Sequence, residues 1–200
     1  MKRSGILCIV LGFCLLLGAA GLAVFNEREA LQAEVAVRET MPVLVQTIQA
    51  RQPQEVPVTI EELPSPEEER SLPVVEIDGR GYVGFLTVPA LELELPVLAD
   101  WSESLLKISP CRYAGDYYSD DLVIMAHNYT EHFGRLHNLR AGDTVIFTDM
   151  DANATEYTVQ ALDILQPADV EEMTAGDYDL TLFTCTATGN SRVTVRCDKQ

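Results

Sequence analysis

Cysteine, histidine and arginine are the side chains here whose types and spacing suit covalent chemistry. Cys185 closes the alternating run Asp179-Leu-Thr-Leu-Phe-Thr-Cys185, the polar segment Thr186–Ser191 follows, and Arg192-Val-Thr-Val-Arg196 alternates again. Alternation predicts two strands, and the six-residue segment between them predicts a hairpin turn. In that register Cys185 faces Arg192 directly, with Cβ atoms about 5 Å apart. Thr181, Phe183, Thr194 and Arg196 share this face, while Leu180, Leu182, Val193 and Val195 take the other, which is the core face. A guanidinium beside a thiol lowers its pKa and favours the nucleophilic thiolate. The bland alternative is a buried cysteine beside a surface arginine.

Such a nucleophile needs a base, and the chain holds three histidines. His127 ends the apolar run Leu122-Val-Ile-Met-Ala126 and begins the polar stretch His127-Asn-Tyr-Thr-Glu-His132. A polar residue where a buried strand meets a loop is a frequent catalytic placement, and a structural histidine is the competing reading. His132 and His137 continue at equal spacing, which raises the question of a metal site. Five residues turn a helix by about 500°, so the three rings would not share a face. No His-Glu-x-x-His pattern occurs either. No metal or other cofactor is expected.

These residues need strands to position them. Short apolar or alternating runs recur at Gly81–Val88, Glu94–Leu98, Leu122–Ala126, Thr144–Thr148, Glu156–Ile164, Asp179–Cys185 and Val193–Cys197, punctuated by Gly, Asp and Asn. Seven such strands predict an all-β closed barrel or sandwich. Short helical turns are expected around Ser102–Ile108, Phe133–Leu139 and Ala168–Met173.

The 200-residue chain carries 31 acidic and 14 basic residues, net −17, which excludes the basic footprint of a nucleic-acid binder. Ser4–Phe25 holds no charge over 22 residues, long enough to cross a bilayer as a helix. Lys2 and Arg3 precede it, so the N-terminus is expected in the cytoplasm and the remainder outside the cell membrane. A cleaved signal peptide ending near Ala19-Ala20-Gly21 is the alternative, and Phe13 before Cys14 argues against a lipoprotein. The predicted organisation is residues 1–25 as cytoplasmic stub and transmembrane anchor, 26–73 as helical stalk and Pro/Glu-rich linker, and 74–200 as the folded β domain. Within 26–52, Leu31, Val35, Val37, Leu44, Val45 and Ile48 recur at roughly helical spacing, and Pro42 is expected to kink or break the helix. The segment serves as a stalk or packs on the domain. Pro53–Pro73, with five prolines and the run Glu67-Glu68-Glu69, is expected to be an extended linker.

Cys8 and Cys14 fall in the apolar span. Cys111, Cys185 and Cys197 lie outside it, and an odd number in an exported domain implies a free thiol and leaves room for one bridge. A Cys111–Cys197 bridge would leave Cys185 free.

Taken together these segments resemble the sortase family of cysteine transpeptidases. Thr181-Leu-Phe-Thr-Cys185 matches the family's Thr-Leu-x-Thr-Cys signature, Arg192 follows where the family carries its arginine, and Val123-Ile-Met-Ala-His127-Asn matches the strand ending in its histidine. Phe133, Leu136, Leu139 and Gly142-Asp143 resemble a further stretch of the family. Gly84-Phe-Leu-Thr-Val-Pro89 and Leu93-Glu-Leu-Pro-Val97 resemble its opening strands. The resemblance covers about Gly81 to Arg196 and departs in having Ala126 before the histidine and a short Cys-to-Arg loop. Arg196 is a second candidate for the arginine; Arg192 is preferred because it opens the strand opposite Cys185. The span Val159–Thr181 is too short for a large helical insertion, so the subclass stays open.

The resemblance implies a closed sortase-type β-barrel of about seven to eight strands. It implies Cys185 as nucleophile, His127 as acid and base, and Arg192 as oxyanion or substrate donor. It also implies a thioacyl-enzyme formed from a Leu-Pro-x-Thr-Gly-like sorting motif of exported proteins and resolved by an amine of a peptidoglycan precursor or a pilin. The competing classes are a hydrolytic cysteine peptidase of another family and a non-catalytic membrane-tethered β domain.

Overall fold

In a computed structural model, residues 2–52, 71–175 and 177–200 are described. A single helix, α1, spans Lys2–Arg51. It is followed by β1 (Val75–Ile77), β2 (Arg80–Val88), β3 (Leu93–Leu98), α2 (Glu103–Leu106), β4 (Cys111–Ala114) and β5 (Leu122–Met125). Then come β6 (Thr144–Asp149), β7 (Ala154–Leu165), α3 (Val170–Thr174), β8 (Leu180–Cys185) and β9 (Arg192–Lys199). The predicted linker Pro53–Pro73 falls mostly outside the described residues.

The strands join in the order β1-β2-β3-β4-β5-β8-β9-β7-β6, and β6 pairs back onto β2. Eight strands thus close a barrel, and β1 is a short addition on the same edge of β2 that β6 uses further along. Closure requires the two backbones to touch: a Cβ on Gly84 would lie 2.0 Å from the Thr148 carbonyl oxygen. Glycine is the residue that permits this approach.

All seven predicted strands are present, and β1 and β4 were not foreseen. Both are too short, at three and four residues, to show a period. The helical turns fall at α2, at the 3₁₀ turn Leu136–Asn138 and at α3. Ser102 caps α2 by accepting a hydrogen bond from the Leu105 N–H at 3.1 Å.

The barrel interior is filled from both sheet halves by residues such as Leu86, Val97, Ile124, Phe147, Leu182 and Val195. Phe183 lies instead in a separate cluster with Val123 and Met173 on the other face of β8. The two faces of the β8–β9 ribbon are therefore both covered, with opposite residue sets, as the alternation requires.

α1 departs from expectation in two ways. Pro42 lies inside it without interrupting it. Proline removes one helical hydrogen bond and costs about 3 kcal/mol. Leu44 and Ile48 are buried against Ile77, Tyr82, Leu98 and Met150, and each such side chain contributes about 1.5–3 kcal/mol, enough to hold the helix through Pro42. Secondly, the buried stripe is Ala33, Val37, Leu44 and Ile48, while Leu31 and Val35 face outward. The helix is thus docked on the barrel along its second half. Its first half, from Ile6, is exposed and apolar enough to cross a membrane.

The bridge considered between Cys111 and Cys197 does not form; both are free and buried. The register explains this. Cys111 pairs with Met125, Met125 with Phe183 and Phe183 with Thr194. Cys111 is therefore three strand spacings, roughly 14 Å, from β9, and Cys197 lies further along that strand. A disulfide needs Cα atoms within about 7 Å.

Candidate active site

The hairpin forms in the expected register. β8 and β9 pair Thr181 with Arg196, Phe183 with Thr194 and Cys185 with Arg192. The turn is closed by Thr186 N–H donating to the Ser191 carbonyl at 2.9 Å and Gly189 N–H donating to the Thr186 carbonyl at 2.8 Å. Cys185 and Arg192 are both half-buried at its mouth.

His127 reaches the same place by a route invisible to local patterning. β5 lies beside β8, parallel to it, with Leu122 paired to Leu180 and Met125 to Phe183. Continued by two residues, this register sets His127 level with Cys185. Three hydrogen bonds carry the alignment past the ladder. Ala126 N–H donates to the Phe183 carbonyl at 3.3 Å, Thr184 Oγ1 donates to the Ala126 carbonyl at 2.8 Å, and Asn128 Nδ2 donates to the Thr186 carbonyl at 3.3 Å. The neighbours of His127 on both sides are thus tied to the neighbours of Cys185.

The loop after His127 doubles back tightly. Phe133 N–H donates to the His127 carbonyl, and Gly134 sits where a Cβ would be 2.5 Å from the Asn128 carbonyl oxygen. Tyr129 stacks near His127, with ring centroids 4.9 Å apart, and near His132 at 5.5 Å. His127 Nε2 is buried and has no hydrogen-bond partner among the described residues. Burial, and then the Lys107 ammonium, push the His127 pKa below its ordinary value; the Glu103 and Glu29 carboxylates pull it back. The resting ring is therefore neutral at pH 7, able to accept a proton.

His132 is fully buried with both ring nitrogens unpartnered among the described residues, and its pKa is pushed down to about 4 by burial and by His127. His137 lies in the 3₁₀ turn, its Nδ1 3.0 Å from the Gly134 carbonyl. The three rings do not converge on a common point: one is at the strand end, one in the interior and one at the surface.

The two candidate arginines separate clearly. Arg196 is buried and committed: it donates to Asp163, to Thr181 Oγ1 at 3.0 Å, and to the Met173 and Glu172 carbonyls at the end of α3. Arg192 donates only to the Gly189 and Ser191 carbonyls, both at 3.3 Å, through Nη1. Its Nε and Nη2 have no partner among the described residues, which leaves donors for a ligand.

Lys107 and Glu29 are members of this neighbourhood that sequence reasoning missed. Lys107 Nζ pairs with Glu29 Oε1 at 2.5 Å, linking the residue after α2 to α1. No sequence signal joins positions 78 apart. An aromatic row also extends from the hairpin: Phe183 meets Tyr113 edge-on at 5.3 Å, and Tyr113 stacks on Trp101 at 5.5 Å. Beside it lies a cavity of about 360 Å³ lined by Asp100, Trp101, Arg112 and Tyr113.

No curated protein matches the chain. Among solved structures, sortase A from Corynebacterium diphtheriae is similar at 21% identity and a TM-score of 0.53, covering 60% of this chain and 61% of its own. A Clostridium perfringens sortase D5 transpeptidase gives 15% identity and a TM-score of 0.52, covering 58% of this chain and 78% of its own. Sortase C-3 from Streptococcus pneumoniae gives 19% and 0.53, covering 86% of this chain and 90% of its own. The chain thus spans less than two thirds of the C. diphtheriae structure. At these identities the likeness establishes the fold. The family model described as Sortase domain matches residues 86–200, more than half the chain, and the chain belongs to the sortase family.

Proposed function

We propose that the protein is a membrane-anchored, extracellular cysteine transpeptidase in which Cys185, His127 and Arg192 carry the reaction. One observation supports this above others: a thiol and a half-free guanidinium face each other across a hairpin mouth, and hydrogen bonds on both sides of His127 tie it to the same strand end.

In this reading Cys185 Sγ adds to the carbonyl carbon of a Leu-Pro-x-Thr-Gly-like motif as its proton passes to neutral His127. Arg192 donates to the developing oxyanion; one such donor contributes about 3 kcal/mol. The imidazolium then protonates the leaving amine, the C–N bond breaks and a thioester remains. An incoming amine, from a peptidoglycan precursor or a pilin, gives its proton to His127 and attacks the thioester. A new amide forms and the thiol is restored. Water competes for the same thioester, so the acceptor must be favoured by binding and orientation. The exposed apolar half of α1 supports the anchor, and Lys2 and Arg3 support a cytoplasmic N-terminus.

Mass spectrometry of the protein after incubation with sorting peptides tests the proposal. The expected result is a mass gain equal to the acyl fragment on wild type and none on Cys185→Ala, with an added amine converting the adduct to an amide product. Hydrolysis unaffected by amine would support the peptidase instead. Absence of any adduct, with Cys185 resisting thiol reagents in the folded protein, would support a non-catalytic domain.

A further inference from the structure

α1 is continuous from its apolar half to the barrel, and ion pairs tie it to the barrel at two widely separated points. Near its middle Glu29 pairs with Lys107, and at its end Arg51 donates to Asp151 at 2.7 Å. The 22 residues between these points make about 33 Å of helix. Phe25, the end of the uncharged stretch, precedes Glu29 by four residues, about 6 Å.

The barrel spans a similar distance. Asp151 lies in the turn between β6 and β7. β7 runs 12 residues from that turn to Leu165, about 36 Å of extended chain, and Leu165 pairs with Arg192, which pairs with Cys185. The candidate site therefore lies at the end of the barrel remote from Asp151. Lys107, which holds Glu29, is one of the charges acting on His127, and Glu29 acts on it too. The helix contact nearer the apolar segment is thus the one beside the site.

From this geometry we infer that α1 holds the barrel with the Cys185–His127 end against the bilayer surface and the β6–β7 turn pointing away. This rests on the reading that the apolar half of α1 spans the membrane. Its partner is the lipid headgroup layer. The Glu29–Lys107 and Arg51–Asp151 pairs, with Ala33, Leu44 and Ile48 buried between them, fix that orientation along the helix.

The chain contains one tryptophan, Trp101, so a single donor can be moved by substitution. Two full-length variants, Trp101→Phe with Asn190→Trp in the exposed β8–β9 turn and Trp101→Phe with Ala154→Trp beside the β6–β7 turn, are incorporated into phosphatidylcholine/phosphatidylglycerol vesicles carrying dansyl-phosphatidylethanolamine. Energy transfer from position 190 is expected to exceed that from 154 several-fold. Equal transfer, the reverse order, or no transfer from either position overturns the inference, and none of these readouts depends on catalysis.

Discussion

The two ends of the barrel treat polar groups in opposite ways. At the β6–β7 turn, buried Asp149 accepts hydrogen bonds from Tyr117 Oη, the Asp151 and Asn153 N–H groups and Asn153 Nδ2. Every lone-pair direction of the carboxylate is used, and the turn is locked. At the other end, among the described residues, His127 Nε2 and both nitrogens of His132 have no partner, and Arg192 uses one nitrogen only. A buried polar group without a partner costs about 1–3 kcal/mol. The carboxylate that locks the turn is saturated, and the end that carries the candidate chemistry keeps unspent donors and acceptors.

That contrast breaks most visibly with His127→Ala. Turnover of a sorting peptide is expected to fall by about two to four orders of magnitude, with the melting temperature nearly unchanged. A large loss of stability with residual activity would put His127 on the structural side.

The arginines sharpen it next. Arg192→Lys should lower kcat/KM by roughly 10–100-fold without unfolding, because a point ammonium cannot supply a planar fork of donors. Arg196→Lys should act chiefly on stability, since Arg196 ties β9 to β8 and to the end of α3. If Arg196→Lys removes activity at constant melting temperature and Arg192→Lys does not, the assignment is reversed.

Asp149→Ala is expected to cost about 3 kcal/mol in denaturant unfolding, by leaving several turn donors unpaired. Activity well below the melting temperature should persist.

His132 gives an acid dependence of similar size. Above pH 6.5 its ring is neutral in both folded and unfolded chains. Between 6.5 and about 4 only the unfolded chain takes up the proton, so stability falls as pH falls, by about 3 kcal/mol at the lower limit. His132→Phe should flatten that slope when unfolding is compared at pH 7 and pH 4.5.

The smallest effect is at Lys107. Lys107→Met removes a positive charge that depresses His127 and leaves the Glu29 and Glu103 carboxylates that raise it. The acid limb of kcat/KM should move upward. A downward shift would mean that another group controls the limb.

Much of the site was readable from residue order. Alternation on either side of Thr186–Ser191 is a local signal, and it determined which residues of β8 and β9 face each other, Cys185 and Arg192 among them. The apolar span and the docked stripe of α1 were partly readable: the helix was evident, but its buried face was not, because Leu31 and Val35 are as apolar as the residues that are buried. Pro42 misled for the same reason, since its local cost is offset by contacts made to a distant surface. β1 and β4 escaped because three or four residues cannot display a period.

The sequence by itself determined the strand pattern, the hairpin register and the residue types able to act as nucleophile, base and oxyanion donor. All of these depend on neighbours in the chain. Only the tertiary structure decided that β5 lies parallel beside β8 and brings His127 level with Cys185, that Arg196 is consumed by α3, that Cys111 and Cys197 stay apart, and that Glu29 meets Lys107. Parallel pairing and barrel closure join segments separated by dozens of residues, and their energies come from burial summed over the whole core rather than from any local pattern.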